Sequence, residues 1–206
     1  GGLQRRNVVE RRFGDLDGAP DYLQADWLAY RAILQGQFRD FAAAEASLAK
    51  AERIKPEWPW VLLERAHLLE MEDRREEALA YGRRSLEIRP WYRPGIQAVA
   101  HTLQALGRDE EALSLLTEAA ERIENGPVVS QLGLLLHELD RHEESRRAWE
   151  RLAELSPLME KDFIRWLNGR RSDSAYECGD LVAASKFARE SGEPFFLKLA
   201  DRLDEA

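Results

Sequence analysis

The sequence predicts an all-α fold: a solenoid of antiparallel helix hairpins stacked in series and closed by a C-terminal capping helix. Three observations carry that expectation. Small helix centres recur at a nearly constant step, Ala44, Ala78, Ala112 and Ser145, separated by 34, 34 and 33 residues. A fixed period of that length marks stacked helical hairpins, each burying its apolar stripe against its neighbours. Within each period two apolar stripes of helical spacing flank a turn. Pro56, Pro90 and Pro157 then close three of the four copies, with Glu124 in the remaining slot. A proline there cannot continue a helix, because it lacks the N–H and its ring clashes with the preceding turn.

Residues 1–20 are expected to be an N-terminal cap or a linker. Leu3 to Phe13 has Val8, Val9 and Phe13 at helical spacing, and Gly14 to Pro20 is a loop by composition. Hairpins follow at about 22–54, 59–88, 93–123 and 127–155. In the second, Leu62, Leu63, Ala66 and Leu69 form the first stripe, Met71 to Arg74 the turn, and Ala78, Tyr81, Ser85 and Ile88 the second stripe. In the third, Ile96, Val99, Ala100 and Leu103 lead to a turn at Gly107, a residue suited to the left-handed conformation at a helix end. A degenerate fifth unit runs from Leu158 to about Glu190, with its turn at Gly179-Asp180 and Ala184 standing 39 residues after Ser145. Its first helix is therefore longer or carries an insertion around 168–173. The segment 194–206 places Phe195, Phe196, Leu199, Ala200 and Leu203 on one face, as a capping helix requires.

These positions resemble the tetratricopeptide repeat (TPR) over residues 21–190. The first-helix small residues of that family correspond to Ala32, Ala66, Ala100 and Gly133, and the second-helix ones to Ala44, Ala78, Ala112 and Ser145. Leu28, Leu62, Ile96 and Val129 stand at the family's large first-helix position, and its second-helix aromatic survives only as Trp149. The resemblance implies a right-handed solenoid with repeats at about 25–58, 59–92, 93–125 and 126–159, and a degenerate one at 160–193. It also implies that the first helix of each hairpin lines a concave face. Candidate peptide-binding residues on that face are Tyr30, Trp60, His67, Gln97, His101, Gln104, Gln131, His137, Arg165 and Asn168. Amides, imidazoles and scattered aromatics suit an extended peptide, whose backbone needs donors and acceptors. The lysine and asparagine pairs with which some members hold a carboxylate tail are absent at the matching positions.

Composition narrows the function. A formal net charge of −8 opposes non-specific nucleic-acid binding, which needs a positive field. No apolar run approaches the roughly 18 residues that span a bilayer, so no membrane partner is expected. Cys178 is the only cysteine, which points to a reduced compartment, the cytoplasm, with a bacterial periplasm also compatible. Its setting, Tyr-Glu-Cys-Gly-Asp, reads as a packed thiol. No phosphate loop, metalloprotease pair or nucleophile elbow occurs, so no catalytic residue, cofactor or metal is expected. His67, His101 and His137 fall on successive repeats, roughly 8–10 Å apart at helix packing distance, whereas zinc needs nitrogens about 2.0–2.1 Å from the ion. Trp58, Trp60, Trp91 and Tyr92 read as inter-repeat packing, with an exposed aromatic shelf for a peptide as the alternative. Lys161, Arg165, Arg170 and Arg171 form a local cationic cluster that either receives acidic residues of a partner or balances the Glu-rich chain.

The expected function is a protein-interaction scaffold that binds a peptide or protein segment without catalysis. The alternative is the regulatory or substrate-presenting region of a larger multidomain enzyme. Self-association through the terminal repeats is a further expectation. The Gly-Gly start without an initiator Met reads as a tag scar or an excision boundary, and hence as part of a longer protein.

Overall fold

A computed structural model describes residues 16, 18–155 and 160–205. The described residues form eleven helices and no strand. They are α1 (Asp21–Gln37), α2 (Phe41–Ile54), α3 (Pro59–Met71), α4 (Arg75–Ile88), α5 (Arg93–Ala105), α6 (Asp109–Arg122), α7 (Gly126–Glu138), α8 (His142–Leu155), α9 (Lys161–Glu177), α10 (Leu181–Ser191) and α11 (Pro194–Asp204). The chain divides into two compact units, Gly1–Arg108 and Asp109–Ala206. The N-terminal segment expected to be a cap or linker lies almost wholly outside the described residues.

The helix ends are built from local chemistry. Asp40, Asn125 and Asp180 each accept a hydrogen bond at an N-cap, from the backbone N–H of Ala43 (3.3 Å), Val128 (3.3 Å) and Ala183 (3.1 Å), which satisfies one orphan donor of the first turn. Pro59, Pro94, Pro127 and Pro194 sit at the first or second helical position, where a missing N–H costs nothing.

The turn inside each hairpin is one structure repeated. Arg39, Asp73, Gly107, Asp140 and Gly179 all take positive φ, between 57° and 76°. In each case the next residue's N–H bonds back to a carbonyl five residues earlier: Asp40 to Gln35, Arg74 to Leu69, Arg108 to Leu103, Arg141 to Leu136 and Asp180 to Ala175, at 2.9–3.0 Å. This is the Schellman geometry, which consumes the last free carbonyls of the first helix. Only two of the five are glycine, so Arg39, Asp73 and Asp140 hold a left-handed backbone at a modest steric cost.

In the first unit, α1 packs on α2 and α3, α3 on α4 and α5, and α4 on α5. In the second, α7 packs on α6 and α8, α9 on α8 and α10, and α11 on α10. The small centres are where the helices cross: Ala32, Ala44, Ala78, Ala100, Ala112 and Ser145 are all 0% exposed. Ser145 keeps its hydroxyl paired by donating to the Gly133 carbonyl at 2.9 Å. Gly133 is required by Trp149, because a Cβ there would stand 2.8–2.9 Å from the indole. The longer fifth unit is α9, whose 17 residues exceed the 13 of α3, α5 and α7. The capping helix α11 buries Phe196 and Ala200, and Phe196 fills the space above Gly169.

Candidate functional site

In the first unit the first helices of successive hairpins, α1, α3 and α5, pack side by side, so residues on their free faces form one surface. Tyr30 on α1 is half exposed and its ring leans on Trp27, with centroids 6.1 Å apart. Trp60 is partly buried and packs against the core shared by α1, α2 and α3. Trp58 does the same, and its Nε1–H donates to the Asp26 carboxylate at 2.8 Å, tying the start of α3 to α1. Both tryptophans thus pack against the core, and Trp58 adds a polar handle. On α5, His101 is exposed while Gln97 and Gln104 are half-buried.

His67 lies 3.1 Å from Glu64, through Nδ1 and Oε2. Glu64 is only 4% exposed, a buried carboxylate whose partner is a titratable ring. The Glu64 hydrogen bond, working against burial, holds His67 above the ordinary imidazole range, and the charges of Glu64 and Glu70 add to it. Glu70 is itself held by the Thr102 hydroxyl, which also donates to the Ala98 carbonyl at 2.9 Å and so latches α3 to α5. Burial, opposed by Arg89 and aided by Asp26 and Glu64, pushes the Tyr92 phenol up.

One buried charge in this unit was not legible as such. Arg65 is 8% exposed and bonds Glu52 through Nε and Nη2 at 2.9 and 3.0 Å; Nη1 bonds Glu45. Its guanidinium also lies over the Tyr81 ring, 5.9 Å from the centroid. Burial lowers its proton affinity, but the bonds and charges of Glu52 and Glu45 prevail and leave it raised.

In the second unit Gln131 and His137 are half-buried on α7, and His137 meets His142 edge-on with centroids 5.4 Å apart. Of the pair expected to be exposed, the structure exposes Arg165 and buries Asn168, which is 7% exposed. Arg165 is tied to the end of α10, with Nε bonding the Ser191 carbonyl at 3.0 Å and Nη2 that of Gly192 at 3.4 Å. The reason is register. In every hairpin the two small centres are twelve residues apart, and Ala184 therefore pairs with Ser172, whose hydroxyl donates to the Ala184 carbonyl at 2.9 Å. Asn168 then falls at the position of Leu62, Ile96 and Val129, all core residues. The twelve-residue spacing was present in the sequence and would have given this register.

The cationic cluster is engaged in part. Arg170 pairs with Asp173 at 3.1 Å, while burial, against Arg170 and His137, pushes the Asp173 carboxyl up. Cys178 is held above its ordinary value by burial and then by Glu143, so its thiol is not activated. Among the described residues no group of three His, Cys, Asp or Glu side chains is placed to hold a metal. A hollow of about 350 Å³ between α10 and α11, edged by Leu181, Val182 and Leu203, adjoins none of the predicted residues.

Solved structures share this arrangement. PilF of Pseudomonas aeruginosa matches with a TM-score of 0.71 at 18% identity, over 91% of this chain and 86% of that one. YrrB, described as a TPR protein with an unusual peptide-binding site, matches at 0.61 and 13% identity over 98% and 97%. A thermophilic TPR protein of Thermus thermophilus matches at 0.58 and 18% identity over 88% and 97%. The chain has the tetratricopeptide-repeat fold. No family model and no curated protein matches it in sequence.

Proposed function

We propose that this chain is a protein-interaction scaffold that takes an extended peptide along the free faces of α1, α3 and α5 in its first unit. The observation that carries the reading is the residue choice on those adjacent helices: Tyr30 and His101 exposed, His67, Gln97 and Gln104 half-buried. Such a surface offers donors, acceptors and one aromatic flank to a polypeptide backbone, with few fixed charges to select against it. YrrB, a protein of the same fold, is described as peptide-binding, which supports the class of ligand. Gln131 and His137 on α7 offer the same chemistry in the second unit.

The test is capture of partners from the extract of the source cell, followed by mass spectrometry and affinity measurement on the segment recovered. Replacing Gln97 and His101 together by alanine is expected to weaken that segment's binding at least tenfold while the melting temperature stays within a degree or two. Undiminished affinity in the double variant moves the site away from this face.

A further inference from the structure

Arg171 on α9 stands where Arg65 stands on α3, one residue before the small centre (Ser172 and Ala66), and each guanidinium covers the aromatic ring sixteen residues later. The surroundings differ. Arg65 is gripped by Glu45 and Glu52, one and eight residues after the small centre Ala44 of the preceding helix. In the same register after Ser145, α8 carries Arg146 and Ala153. Among the described residues Arg171 has no ion-pair partner. Nη1 reaches only the Asn168 amide oxygen, at 3.4 Å, its buried Nε–H has no acceptor, and the guanidinium stacks on Phe187 at 3.8 Å. The link 156–159 is Ser-Pro-Leu-Met and contains no carboxylate. The two acidic groups nearest in charge, Glu150 and Glu190, are engaged by Arg146 at 3.4 Å and by Lys186 at 4.0 Å.

A planar cation fixed over a ring, its Nε–H buried and its Nη2 without a partner among the described residues, is pre-organised for a planar oxyanion that meets its Nη1–Nη2 end. Carboxylates are the groups that fill the equivalent socket at Arg65, supplied there by Glu45 and Glu52. We propose that Arg171 is a receptor for a carboxylate of an acidic polypeptide segment, which docks at the α8–α9–α10 seam of the second unit. The site is separate from the α1–α3–α5 surface and does not depend on it. The docked carboxylate would complete the socket that Glu45 and Glu52 complete internally for Arg65. Burial, only partly offset by Glu190 and Glu150, already depresses the Arg171 guanidinium, so a bound anion would restore its charge partner.

Arginine side-chain NMR on the full chain tests this, with acetate and with N-acetyl-Glu-Glu amide as probes. The Nε–H signal of Arg171, identified by its loss in Arg171→Lys, is expected to move saturably with both. Ala153→Glu, which puts a carboxylate in the register of Glu52, is expected to move that signal toward the position found for Arg65 and to reduce the response at least fivefold. Should Ala153→Glu fail to fold, Arg146→Glu, in the register of Glu45, makes the same measurement. A linear or absent response to both carboxylates, or a response to inorganic phosphate alone, overturns the proposal.

Discussion

The second and fifth hairpins solve one packing problem with different chemistry. In the second, the face of α3 that meets the hairpin's own second helix carries Leu62 and Ala66, 5% and 2% exposed, and the cation beside them, Arg65, is matched by two carboxylates from α2. In the fifth, the same positions hold Asn168 and Ser172, 7% and 0% exposed, and the neighbouring Arg171 has no carboxylate. Ser172 survives burial because it donates back into its own hairpin, and Ser174 because it meets the Ser145 hydroxyl at 3.3 Å. The difference teaches that a repeat seam tolerates polar residues only when partners lie within reach. Where the preceding helix does not supply them, the demand is left unmet within the chain.

The largest expected effect is at Arg65. Arg65→Met removes the cation from Glu45 and Glu52, and breaking a buried pair costs about 3–5 kcal/mol. The two carboxylates keep 39% and 33% of their side-chain exposure, so water repays part of that and about 2–3 kcal/mol should be lost in urea unfolding. A loss below about 1 kcal/mol would show that the pair is no better than a surface bridge, and the contrast with Arg171 would collapse.

A smaller effect is expected where the seam is set by shape. A Cβ on Gly133 would meet the Trp149 ring at 2.8 Å. Overpacking costs about 1–3 kcal/mol, and alanine's better helix propensity returns up to about 1, leaving a net loss of about 1–2 kcal/mol for Gly133→Ala. The double change Gly133→Ala with Trp149→Leu should recover much of it, because Ala100 and Leu116 occupy the same two positions in the sequence of the third repeat, and both are 0% exposed. If the double variant melts lower than Gly133→Ala alone, the two positions are not coupled as described.

Smaller still, and opposite in sign to Arg65, is Arg171→Met. An apolar side chain of similar length keeps the contact with Phe187 and removes an unmatched charge, so stability should stay within about 1 kcal/mol of the parent or rise. Equal destabilisation by both arginine-to-methionine changes would mean that Arg171 has a partner in solution.

What the sequence made legible follows from which forces are local. The crossings were readable because Ala44, Ala78 and Ala112 are small for a steric reason that recurs at fixed spacing. The turns were readable at Gly107 and Gly179, and at 71–74 between two stripes, but no residue type announced the left-handed backbone that the Schellman bonds hold without glycine at Arg39, Asp73 and Asp140. The fifth hairpin was obscured because its small centre is a serine: Ser172 does alanine's steric work while hiding a hydroxyl bonded to Ala184, so Arg165 and Asn168 look like residues of a free face. Nothing local marks Arg65 for burial or Arg171 for stacking on Phe187, since both depend on helices that neighbour them only in the folded chain. The residues on the surface of α1, α3 and α5 were readable one by one, but nothing in sequence announces that Glu64 is buried beneath His67.

The smallest effect concerns that pair and asks whether a buried charge with a titratable partner behaves as a third case between Arg65 and Arg171. His67 keeps 42% of its side-chain exposure while Glu64 keeps 6%. The hydrogen bond to Glu64, against burial, raises the folded-state pKa of His67 above its unfolded value of about 6.5. A raised imidazole contributes stability that is fully present below that unfolded value and is lost as pH rises through the folded one. The melting temperature of the parent should therefore fall slightly more between about pH 6 and pH 8 than that of His67→Gln, and Glu64→Gln should remove the same increment. Histidine NMR gives the direct check: the His67 ring should titrate above about 6.5 in the parent and move down in Glu64→Gln. A His67 ring that titrates at or below about 6.5 in the parent would show that burial outweighs Glu64, leaving that carboxylate, like Arg171, without a matched charge.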